Sequence, residues 1–333
     1  MQRSLWGVAA ALVIAAPALA AEPVTIDNFK RAETDHYFAK AAGAGCLGKF
    51  CHDRVATPVT KQPVIRMNRD TIYSNAVVDL SSPVTIAKPD TGKRFQSMLV
   101  INQDHYIPLI AYAPGRYTLT KEMVGTRYAM VMFRTFMDPN DAKDVAAAHA
   151  AQDSIKLEQA DPGKFEIPDW DEAQRQKLST GIVASLGPFT PDSTGMFGAA
   201  DKVDPVRHLV GTAAGWGGNP VEDAKYLNFK VAQNDGITPH VLTVKDVPVD
   251  GFWSVIVYNA KGYFEAPETA VSVNNVTGKR NKDGSMTIHF GGDPKAPNYL
   301  RIMPGWNYMA RLYRPRAEVA AGKWTFPEAV PVR

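Results

Sequence analysis

His105 closes a run from Phe95 in which Leu99 and Ile101 are apolar, while Gln103 and His105, on the same parity, are polar. Alternate residues of a strand share a face. Such a run therefore reads as a strand that leaves a packed interior and ends at a pocket mouth. Imidazole titrates near neutrality. That makes His105 the first candidate for acid or base work, with Asp104 or Asp70 orienting the ring and Arg69 stabilising charge. The competing reading is a rim histidine bonded to a loop.

Arginines come next. Arg69-Asp70 precedes a run that carries Tyr73. An arginine beside a carboxylate can orient an anionic or polyol ligand, but it can equally pin the start of a strand, and the structural reading is favoured. Arg134 shares a face with Met130, Met132 and Phe136, and Arg311 and Tyr313 alternate with Ala310 and Leu312. A charge on such a face needs a partner when buried; an internal aspartate or a ligand carboxylate would serve. Arg207-His208 precedes a glycine-rich stretch from Gly211 to Gly218 that lacks the lysine of a phosphate loop and follows no strand. Its glycines are read as backbone freedom at a domain junction, and Trp216 as a plug between domains. The candidate ligand-binding set is thus Arg69, Tyr73, Gln103, Arg134, His208 and Arg311.

Several mechanisms lack their motifs. There is no G-x-S-x-G, no S-x-x-K, no H-E-x-x-H and no H-x-H. No cofactor and no metal is called for. The only cysteines, Cys46 and Cys51, stand close together in GAGCLGKFCHD. The alternatives are a disulfide and, with His52, half of a metal site; the disulfide is favoured, since no second ligand pair is evident.

The elements that must hold these residues follow from patterning. Residues 1–20 have a basic start at Arg3, an apolar run from Leu5 to Ala16 and a small-x-small end at Ala18-Leu19-Ala20. They read as a signal peptide cleaved after Ala20, which leaves no transmembrane anchor and a periplasmic or secreted protein. The 333 residues carry 37 basic and 34 acidic side chains, a balance of +3 without basic clusters, which argues against nucleic acid as a partner.

Residues 21–60 are expected to hold one helix (27–42) and the cysteine loop. Residues 61–140 show short β-rich runs with Gly/Pro punctuation, the mark of an antiparallel sandwich or barrel. Residues 141–218 read as a helical spacer, with Asp141 as an N-cap, a second helix over about 169–186 stopped by Gly187-Pro188, and then a loop-rich stretch. Asn219-Pro220-Val221-Glu222 suggests another helix start. From about 226 β patterning returns, with strands in HVLTV, FWSVIVYN, AVSVN, SMTIHFGG and NYMARLYRP, so residues 219–333 form the second β domain.

Asn68-Arg69-Asp70-Thr71-Ile72-Tyr73-Ser74 followed by Val78-Asp79-Leu80, with Asp104-His105, Arg134-Thr135 and Asp138-Pro139, resembles the bacterial domain of unknown function 1254. Val247-Pro248-Val249-Asp250-Gly251-Phe252-Trp253-Ser254, Tyr258-Asn259, Gly262-Tyr263-Phe264, Arg311-Leu312-Tyr313-Arg314-Pro315 and Gly322-Lys323-Trp324 resemble its companion, the domain of unknown function 1214. The resemblance runs over roughly residues 60 to 330. It implies two antiparallel β-sandwich (jelly-roll-like) domains joined by a helical spacer, in an exported protein that forms homo-oligomers in some cases. It carries over no catalytic residue.

Three functions are consistent with these residues. The first is a module that binds a polar small molecule or glycan in a cleft in or between the sandwiches. The second is a hydrolase or lyase acting on a glycan or ester through His105. The third is an assembly protein.

Overall fold

The computed structural model describes residues 21–62, 65–190 and 192–332. The expected leader and its cleavage point lie outside the described residues. No described helix is long and apolar enough to cross a membrane.

The first half of the chain runs α1 (Phe29–Gly43), β1 (Cys51–His52), β2 (Thr71–Asp79), β3 (Val84–Lys88), β4 (Gln96–Asn102), β5 (Leu109–Ala111), β6 (Gly115–Leu119), α2 (Lys121–Val124), β7 (Tyr128–Phe136), α3 (Ala142–Asp153), β8 (Lys156–Glu158), α4 (Glu172–Leu186) and α5 (Pro205–Gly215). A five-stranded sheet has the order β1-β2-β7-β4-β5, and a three-stranded sheet has the order β6-β3-β8. The turn at Asp90-Thr91-Gly92 therefore carries the chain from one sheet to the other.

Strand β7 is central and apolar on both sides, as a doubly covered strand must be. Ala129, Val131 and Phe133 pack with Val84, Ile86 and Leu119 of the small sheet. Tyr128, Met130 and Met132 pack with Phe29, Phe38, Ile182 and Val210 of α1, α4 and α5. Of the helices expected as a spacer, α4 and α5 thus cover one face of the five-stranded sheet together with α1.

The second half runs β9 (Ala224–Lys230), β10 (His240–Val244), β11 (Trp253–Tyr258), β12 (Ser272–Asn274), β13 (Met286–Phe290), β14 (Tyr299–Leu300), β15 (Asn307–Tyr313), α6 (Ala317–Ala320) and β16 (Val330–Pro331). Its sheets have the orders β12-β11-β15-β9 and β14-β13-β10-β16, antiparallel except for the β13–β14 pair. Trp253, Val255 and Val257 of β11 share a core with Leu242, Ile288, Phe290, Trp306 and Leu312, as their alternation requires. The protein is thus mainly β, built on antiparallel sheets.

Three local expectations change. The strand read to His105 stops at Asn102, and His105 lies in the following turn with φ +64°. The glycine-rich stretch is partly helix: Asp204 caps α5 by accepting from the Val206 and Arg207 amides, with Pro205 at the first position. Gly211 suits this packing, because a Cβ there would stand 2.8 Å from the Cβ of Met196. The Asn219–Glu222 segment is a turn leading into β9, not a helix. Cys46 and Cys51 are joined in a disulfide.

The two halves meet through rings. Phe252 stacks on Tyr313 at 4.3 Å and meets Phe95 and Phe136 edge-on, both at 5.1 Å. Burying a side chain of this size contributes about 1.5–3 kcal/mol.

Candidate functional site

In the sheet of β12-β11-β15-β9, Ala310 and Leu312 face the core, so Arg311 must face the first half of the molecule. Register places Asn274 beside Ser254, Ser254 beside Arg311, and Arg311 beside Tyr226. The result is a polar row across four strands. From the first half Asp70 reaches this row, and Tyr73 lies opposite Arg134 in the β2–β7 pair.

At one end of the site the buried groups are incompletely bonded. Arg311 donates through Nη2 to the carbonyls of Arg66 (2.7 Å) and Met67 (3.3 Å) and to the Tyr258 hydroxyl (2.8 Å). Asp70 accepts through Oδ1 from Asn274 Nδ2 at 3.4 Å. Among the described residues, Arg311 Nη1, Asp70 Oδ2 and Ser254 Oγ have no hydrogen-bond partner. Their residues are 3%, 2% and 0% exposed. Burial pushes the Asp70 carboxyl above its ordinary range, against the pull of the Ser254 hydroxyl, which lies beside it but outside hydrogen-bonding geometry, and of Arg311, Asn274 and Arg69. Orphaned polar atoms at such depth are costly.

At the other end lies Arg134. It donates through Nη1 to Asn219 Oδ1 (3.0 Å) and through Nη2 to the carbonyl of Gly217, and its guanidinium lies 5.5 Å from the Tyr73 ring centre. Among the described residues it has no carboxylate partner. Asn219 donates onward to the Tyr226 hydroxyl at 3.2 Å. The Tyr313 phenol is pushed well above its ordinary value by burial, with Asp70, Tyr226 and Tyr73 adding and Arg311 opposing. The phenols of Tyr73, Tyr226 and Tyr313 thus connect the two ends. Tyr73 and Tyr226 are half-buried.

The residues first singled out from sequence divide into two places. Asp70, Tyr73, Arg134 and Arg311 come together at this junction. His105 does not stand at a pocket mouth. It is fully buried in a column of near-parallel rings, Tyr106–His208–His105–Trp216–Tyr37, with centroid spacings of 4.6, 5.5, 5.5 and 4.3 Å. Its Nε2 accepts from the Gly217 amide (2.9 Å), so Nδ1 carries the proton and donates to Thr212 Oγ1 (2.9 Å). Burial, then His208 and Lys30, hold it well below its ordinary pKa. A neutral ring with both nitrogens engaged is a strut, not an exposed acid or base.

The other expectations change with it. The Asp104 carboxylate pairs with Arg31 on the surface and does not orient His105. Gln103 donates to Asp35 and accepts from the Tyr128 amide. His208 turns its nitrogens to the carbonyls of Met196 and Asp104. Arg69 donates to the carbonyl of Thr57 and pairs with Glu268 at 3.6 Å, the pinning role. Trp216 stacks within the first half and is no plug between halves.

One link joins the two places. Gly217 donates its amide to His105 and offers its carbonyl to Arg134, so the buried column anchors the residue that holds Arg134. Ser254, Asn274, Asn219 and Tyr226 were missed. The alternation that placed Trp253 and Val255 in the core already put Ser254 opposite them, but nothing local marked it as facing Asp70. A groove of about 600 Å³ between Val24 and α4 is lined chiefly by Leu178, Ile182 and Leu186 and holds none of these groups.

Fold and site together describe a β-rich protein with a buried polar junction between two β units. Residues 47–123 match the family described as "Protein of unknown function (DUF1254)", and residues 229–317 match "Protein of unknown function (DUF1214)". The two matches stand in tandem along the chain. No curated protein matches it. Among solved structures it is similar to the VPA0106 protein from Vibrio parahaemolyticus, at 18% identity and a TM-score of 0.72 over 92% of this chain and 98% of that one. It is also similar to an uncharacterized protein from Burkholderia cenocepacia, at 16% identity and a TM-score of 0.50 over 92% and 88%. These likenesses concern the fold.

Proposed function

We propose that this protein binds a small polar molecule bearing an anionic group at the junction of its two β units, each read as a jelly-roll-like sandwich. One observation carries the reading: Arg134 is buried with only neutral partners, beside three phenols. A guanidinium stays charged at any ordinary pH, and a buried charge without a counter-charge is costly. An anion at Arg134 would supply that counter-charge. The hydrolase or lyase reading has no such support, because both nitrogens of His105 are engaged in the fold. The leader-like start and the disulfide support an exported protein.

The test is thermal unfolding of the chain from residue 21 onward with citrate, glucuronate, gluconate or phosphate at millimolar concentration. At least one of these is expected to raise the melting temperature of the wild type and to leave Arg134→Gln unmoved. No shift with any of the four, or equal shifts in both proteins, would refute the reading.

A further inference from the structure

We infer that the ligand is a sugar acid, whose carboxylate meets Arg134 and whose hydroxyls meet Asp70, Ser254 and Arg311. This rests on the binding reading above and goes on to the ligand's other end. The argument is one of charge and hydrogen-bond type. Arg134 has no counter-charge and calls for an anion. Asp70 and Arg311 lie near each other with opposite charges, so that end is already neutral. A second charged group there would leave one charge in excess: an ammonium would face Arg311, and a carboxylate would face Asp70.

The free atoms call for a particular chemistry. Asp70 Oδ2 accepts, Arg311 Nη1 donates, and Ser254 Oγ does either. A hydroxyl both donates and accepts, so neighbouring hydroxyls complete all three atoms without adding charge. An aliphatic acid would leave all three unpaired. An analogue lacking a hydroxyl that a site is built to bond is rejected more strongly than one lacking a methylene.

Spacing lets one molecule reach both ends. Asp70 precedes Tyr73 by three residues, about 10 Å along an extended chain, and Tyr73 lies opposite Arg134.

Calorimetric titration of the chain from residue 21 onward would test this with three probes: gluconate, hexanoate and sorbitol. Gluconate is expected to bind at least about tenfold more tightly than either other probe, about 1.4 kcal/mol. Ser254→Ala and Asp70→Asn are expected to bring gluconate down to the level of hexanoate, while Arg134→Gln loses both acids. If hexanoate matched gluconate, or Ser254→Ala kept the full preference, the sugar-acid inference would fall and anion binding at Arg134 would stand. If neither acid bound while citrate or phosphate did, only the inference would fall. If no anion bound, both would fall. Ser254→Ala removes one oxygen from a packed strand, so it serves should Asp70→Asn fail to fold.

Discussion

Two regions of this molecule bury polar groups to the same depth and treat them differently. In the ring column His105 is wholly enclosed, and each of its nitrogens has a partner of the matching type. At the junction Asp70, Ser254 and Arg311 are as deeply enclosed, and each keeps an atom with no partner among the described residues. Folding favours completed networks, because an orphaned buried group costs its full desolvation. The column is therefore what a sequence builds to hold a shape, and the junction is where the proposed ligand would complete the bonding. Depth of burial does not separate the two; completeness of bonding does.

The comparison can be broken most directly at the column. His105→Ala removes a stacked ring and strands the Gly217 amide. Chemical denaturation is expected to show a loss of about 3–5 kcal/mol. A loss under about 1 kcal/mol would mean that the column is not a structural strut. Gly218→Ala comes next: its Cβ would stand 2.5 Å from the Phe197 ring that flanks His105. Overpacking there is expected to cost about 1–3 kcal/mol.

The junction is expected to respond far less. Arg134→Gln removes a charge without a counter-charge, so stability without ligand is expected to change by no more than about 1 kcal/mol in either direction. A loss as large as that of His105→Ala would place Arg134 with the structural group.

The last comparison is in pH, where the two regions carry opposite signs. His105 has a lowered pKa in the folded protein. Below about pH 6.5 the unfolded ring takes up a proton that the folded ring refuses. Its contribution is therefore complete above that pH and is lost as pH falls toward the folded value. Asp70 has a raised pKa. Its contribution is complete below about pH 3.9 and is lost as pH rises through the folded value. Denaturation midpoints against pH should show the acid-side slope weakened in His105→Asn, which suits a left-handed backbone. Asp70→Asn should gain relative to wild type as pH rises from about 4 to neutrality. Each slope is bounded at about 1.4 kcal/mol per pH unit for one proton. Unchanged profiles would remove the electrostatic side of the comparison.

Much of this architecture is legible in the residues alone. The β-rich composition, the disulfide, the Asp141 cap of α3, the stop of α4 at Gly187-Pro188 and the inward faces of β11 and β15 follow from local chemistry and alternation. Strands of two or three residues such as β1, β8 and β14 are too short to show a period. Helix α5 reads as loop because Gly211 and Gly215 weaken its propensity; its glycines answer to the neighbouring Met196 and Phe197, which only packing reveals. Four of the site residues, Asp70, Tyr73, Arg134 and Arg311, were visible as charged or phenolic groups on apolar strands.

By itself the sequence determined which strand faces would turn inward, as for β11 and β15, because periodicity and side-chain chemistry act within a few positions. Only the tertiary structure decided which buried polar groups would be completed. That depends on what a second segment, often more than a hundred residues away, brings to face them: Thr212 and Gly217 for His105, and for Asp70 the row of Ser254, Asn274 and Arg311.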